Sequence, residues 1–83
     1  MRYTVTWVPS AEKELARIWL RTTKRQAVAN AANRIDLLLK DPSALHQQKP
    51  GMRQRLTILP LSIIFDVQPD DCRVRVLQVR FLG

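Results

Sequence analysis

The sequence predicts an α+β domain of order β-α-α-β-β-β, a helical hairpin packed on one face of a small, mainly antiparallel sheet. Three observations lead there. Residues 3–8 alternate in β-branched and aromatic side chains. Residues 11–40 carry two helical apolar periodicities. Residues 53–81 hold three short strand-like runs divided by proline-marked turns. No repeat or linker interrupts the 83 residues, so residues 1–83 are expected to form one domain.

The first strand, Tyr3–Val8, places Tyr3, Val5 and Trp7 on one side and Thr4, Thr6 and Val8 on the other. Trp7 can then face either the helices or solvent. Pro9-Ser10 ends the strand. Ser10 is the expected N-cap of a helix over Ala11–Thr22, with Glu12 and Glu14 in the first turn, where the helix dipole favours acids. Ala11, Leu15, Ile18 and Trp19 form its inner face, and core packing is the role expected of Trp19. Thr22-Thr23 offers a break and a new cap. Helix two, Lys24–Lys40, sets Val28, Ala31, Ala32, Ile35, Leu38 and Leu39 at i, i+3, i+4, i+7 spacing. The small Ala31 and Ala32 would let helix one approach closely, and the short link favours an antiparallel hairpin.

Asp41-Pro42 stops helix two, and a loop over 43–51 holds His46 and Lys49. Strand two is Arg53–Leu59, with Leu56 and Ile58 opposed by Arg55 and Thr57; Pro60 marks a tight turn. Strand three is Ser62–Gln68, Pro69-Asp70-Asp71 is a turn, and Cys72–Phe81 is the last strand. The three make a meander, and strand one must pair elsewhere on the same sheet.

Composition narrows the function. Fourteen Lys and Arg, ten of them Arg, against seven Asp and Glu give a net charge of +7. Guanidinium offers a planar fork to phosphate and carboxylate, so nucleic acid or an acidic protein is the expected partner. The single cysteine, Cys72, excludes an intrachain disulfide and a CxxC metal motif; a half-buried strand position is its expected role. No cofactor or metal is implied. The N-terminal stretch does not read as a leader, and no run approaches the ~18 apolar residues of a membrane span, so a cytoplasmic location is expected.

Two stretches, YTVTWVPSAEKELARIW (3–19) and RQRLTILPLSIIFDVQPDDCRVRVLQV (53–79), with Phe65-Asp66-Val67 before an acidic turn, resemble the RelE/ParE family of toxins. The resemblance covers almost the whole chain. It implies the toxin of a type II toxin–antitoxin (plasmid stabilization) system, held inactive by an acidic antitoxin. Some members cleave mRNA on the ribosome, some inhibit DNA gyrase, and others have no known target.

Cleavage of the family's kind needs cations at the scissile phosphate and groups that move protons. Here the sequence departs from the pattern. Ser62 and Leu82 stand where the resemblance implies arginines, and no tail tyrosine follows; Tyr3 is the only tyrosine. These departures favour a non-catalytic inhibitor. The remaining candidates for target binding are Lys49, Arg53, Arg55, Arg73, Arg75 and Arg80, of which Arg53, Arg55 and Arg80, with His46, are the candidate catalytic groups. Arg73 and Arg75 share one side of strand four, and Arg80 falls on the other unless a bulge intervenes. Asp66 is expected to pair with an arginine of a neighbouring strand. Leu15, Ile18 and Trp19 are expected to line a groove for the antitoxin. Two alternatives stand beside this reading: a non-toxic basic nucleic-acid-binding module, and a ribosome-dependent mRNA endonuclease with a non-standard site.

Overall fold

The computed structural model describes residues 3–41 and 52–82, so His46 and Lys49 lie outside the described residues. In order, the elements are β1 (Thr4–Trp7), α1 (Pro9–Arg21), α2 (Arg25–Lys40), β2 (Gln54–Ile58), β3 (Leu61–Gln68), a 3-10 turn (Pro69–Asp71) and β4 (Arg73–Phe81). The sheet order is β1-β4-β3-β2. β2, β3 and β4 form the expected antiparallel meander, and β1 joins it parallel to β4.

Helix α1 starts earlier than its sequence suggests. Its N-cap is Val8, whose carbonyl accepts the Glu12 N–H at 3.0 Å, and Ser10 lies inside the first turn without capping. Proline explains the shift: at the first helical position Pro9 has no N–H to leave unsatisfied, and its ring already holds a helical φ. The Thr22 N–H closes the helix on the Ile18 carbonyl, and Thr22 Oγ1 then accepts the Lys24 N–H at 2.9 Å, shaping the short link to α2.

The helices do not pack closely on each other. α1 lies along β4, whereas α2 lies across β1, β2 and β3. The sheet meets α2's apolar demand: Val28, Ala31, Ile35 and Leu39 are buried against it. Ala32 is left lining a hollow between the helices. Trp19, expected in the core, is 40% exposed. Its ring lies on the α2-facing side of α1, where Arg25 covers it at 5.9 Å and donates Nε–H to its carbonyl at 3.0 Å.

Strand parity divides the sheet into two faces. Leu61, Ile63, Phe65 and Val67 of β3 and Val74, Val76 and Val79 of β4 are buried under the helices. The spacing from Val76 to Val79 is three, not two. Register accounts for it: Ile64 pairs with Gln78 but Phe65 with Val76, so Leu77 is an extra residue in β4. This bulge returns Val79 to the inner face.

One carboxylate is buried on the outer face. Asp66, 5% exposed, lies opposite Arg75 and accepts from its Nε at 3.1 Å and its Nη2 at 2.6 Å. The hydrogen bond and charge of Asp66 hold the Arg75 guanidinium above its ordinary pKa. Bidentate geometry ties β3 to β4 beside the bulge.

Ile35→Ala, at a fully buried position, lowers stability by about 3 kcal/mol, whereas Trp19→Ala lowers it by less than about 1 kcal/mol; urea denaturation of both variants measures the contrast. Asp66→Ala lowers the urea midpoint more than Asp70→Ala, because only Asp66 is buried and bound bidentately.

Candidate functional site

The outer face of the sheet is mostly polar and carries more arginines than acids. Paired residues share a face, so the register assigns it directly. Thr57, Ser62 and Arg80 form one row across β2, β3 and β4; Arg55, Ile64 and Gln78 form the next. Beyond the bulge, Asp66 and Arg75 extend to Thr6 of β1, and Gln68 and Arg73 to Thr4. Regular alternation would put Arg80 on the opposite side from Arg73 and Arg75. The extra Leu77 brings all three to one face.

Arg80 therefore stands directly beside Ser62, and Arg55 stands beside Ile64, two residues along β3. Two strand spacings and two residues separate their Cα positions, about 12 Å. Two extended arginine side chains can close that distance on one phosphate. Arg53 lies just before β2, exposed. Arg75 is engaged by Asp66, which leaves Arg55, Arg73 and Arg80 as the cations of this face with no carboxylate partner among the described residues.

Ser62 is buried, and its Oγ accepts the Thr57 hydroxyl at 3.2 Å. It serves as a cross-strand polar contact. No histidine, tyrosine or unpaired carboxylate stands on the outer face beside it among the described residues. Tyr3 packs against the core, and its N–H binds the Lys40 carbonyl. Leu82 is fixed by its N–H on the Pro60 carbonyl at 2.7 Å. Such a face can attract and hold an anion through charge. Among the described residues no cluster of His, Cys, Asp or Glu is placed to hold a metal ion. No described helix is long and apolar enough to cross a membrane.

Hollows lie on both flanks of α1. Leu15 and Trp19 line the first, about 470 Å³, against Trp7, Val28 and Ala32. Trp7 is thus placed: it faces the helices and floors this hollow. Ile18, expected to join Leu15 and Trp19, lies on the other flank, in a cleft of about 380 Å³ against Val79 and Phe81. No periodicity in the sequence points to this second cleft, which exists because β1 ends opposite Val76 and β4 runs on without it.

No protein-family model and no curated protein sequence matches the chain. The fold is nevertheless similar to those of solved structures. A chain of the toxin–antitoxin complex RelBE2 from Mycobacterium tuberculosis is 16% identical, with a TM-score of 0.71 over 98% of this chain and 92% of its own. A chain of the archaeal RelE–RelB complex from Pyrococcus horikoshii OT3 is 18% identical, with a TM-score of 0.70 over 100% and 98%. TrmO from Pseudomonas aeruginosa is 22% identical, with a TM-score of 0.65 over 96% of this chain but 33% of its own. The chain therefore has the RelE-type fold over its whole length, and the same fold also forms a third of a longer protein.

Proposed function

We propose that this chain is the toxin of a type II toxin–antitoxin pair, neutralised by an acidic antitoxin and acting on a translation or replication target through the cations of its outer sheet face. One observation carries the reading: the fold likeness to chains of two RelE-type complexes spans both partners of the comparison almost end to end. In TrmO, by contrast, the likeness stops at a third of the molecule.

The side chains favour binding over cleavage. Arg55, Arg73 and Arg80 supply positive charge, but the face offers no proton-transfer group among the described residues, and Ser62 is occupied by Thr57. A group that only holds phosphate raises affinity without lowering the barrier of a chemical step. A mRNA endonuclease is the second reading, and a specific observation favours it. The bulge sets Arg80 beside Ser62, the position where the resemblance implies an arginine.

Induction of the chain alone in a bacterial host separates the readings. The expected outcome is growth arrest with intact mRNA, relieved by joint Arg55→Ala and Arg80→Ala substitution. Rapid cleavage within translated codons selects the endonuclease, and unimpaired growth selects a non-toxic binding module. In purified protein, Arg80→Ala weakens single-stranded RNA binding about tenfold and reduces the magnitude of the log–log salt slope by about 0.7; fluorescence anisotropy across a salt series measures both.

A further inference from the structure

The hollows on the two flanks of α1 differ in charge, and the one lined by Ile18 has the character of a docking site. It lies between the second half of α1 and the end of β4. Ile18, Val79 and Phe81 form an apolar floor, and Arg17, Arg21 and Arg80 stand around it. The apolar surface continues outward. Phe81 is 38% exposed, Leu82 54% and Leu59 74%, and the hydrogen bond from Leu82 to Pro60 holds this end of the sheet in place. Exposed apolar side chains grouped beside charged ones mark interaction surfaces.

Charge decides what fits. Glu14, the one acid of the cleft, is paired with Arg17 at 2.8 Å. Arg21 and Arg80 have no carboxylate partner among the described residues. A second copy of this chain would set guanidinium against guanidinium, which opposes association. A segment with an apolar anchor between carboxylates meets both demands, because each guanidinium takes a carboxylate in a bidentate grip.

Arg80 gives the cleft a second property. By register it belongs to the outer face, opposite Ser62, yet it also lines this cleft. Both are possible because no strand pairs with β4 on its outer side beyond Val76. We propose that the cleft takes an apolar side chain from an acidic segment of a partner protein, held by Arg21 and Arg80, and that its occupancy draws Arg80 away from the sheet face. The inference rests on the proposed toxin reading and deepens it: the partner weakens the cationic face through one shared side chain, without covering that face.

The test is a titration of the whole 15N-labelled chain with the acidic peptide acetyl-Glu-Glu-Leu-Phe-Glu-Glu-amide, with labelled oligouridylate as a second ligand. The peptide shifts the amides of Ile18, Arg21 and residues 79–81 and the Arg80 Nε resonance, and it weakens oligouridylate binding about tenfold. Arg21→Glu weakens peptide binding at least about tenfold. Phe81→Ala does the same by removing the apolar contact, and the dispersion of each variant's spectrum reports that it is folded. Shifts that saturate at Trp7, Leu15 and Trp19 instead, peptide binding indifferent to Arg21→Glu, or no saturable shift at all would overturn the site. Simultaneous binding of peptide and oligouridylate without competition would overturn the sharing of Arg80. Growth assays read the chain alone, so failure of the toxin reading and failure of this site are seen separately.

Discussion

The extra residue at Leu77 sets which side chains of β4 meet the core and which meet solvent, and both the core and the cationic face depend on it. Without it, Val79 would turn outward and Arg80 would turn under the helices. Burying a valine is worth about 1.5–3 kcal/mol, whereas disrupting one ladder hydrogen bond costs about 1 kcal/mol. An unpaired guanidinium under α1 would cost more than either. The bulge is thus the favourable way for this strand to cross the sheet, and the cluster of Arg73, Arg75 and Arg80 on one face is its by-product. Asp66 then removes Arg75 from that cluster by binding it.

The helices are organised by the same sheet. α2 fills the inner face over β1, β2 and β3, and α1 follows β4, so the two make few close contacts with each other. The gap between them leaves an apolar hollow at Trp7 and Trp19. The short β1 leaves a second, cationic one at the far end of β4. Each hollow is a consequence of strand length and helix placement.

Much of this was legible in the sequence. Alternation and proline punctuation marked all four strands, and helical periodicity marked both helices within a few residues. The acidic turn at Asp70-Asp71 and the Asp66 ion pair also followed from residue type and position. The errors share a cause. Periodicity shows that Ile18 and Trp19 lie near one face, but which neighbour each meets is decided by tertiary placement. Ala31 and Ala32 permitted close helix packing, and the sheet offered α2 a better apolar surface. Ser10 looked like a cap because its type favours caps, and Pro9 took precedence through its fixed φ. The bulge left a trace, Val74, Val76 and Val79 at uneven spacing with Leu77 beside Val76, but parity alone cannot choose between a bulge and an exposed valine.

Charge is presented at a surface fixed by backbone register, so which arginines share a face follows from a one-residue offset. Cross-strand NOEs between β3 and β4 test that offset most directly. Contacts pairing Ser62 with Arg80 and Phe65 with Val76 in the same molecule are expected. Continuous pairing from Ile64–Gln78 to Phe65–Leu77 and Asp66–Val76 would contradict the offset, and with it the shared face of Arg73 and Arg80.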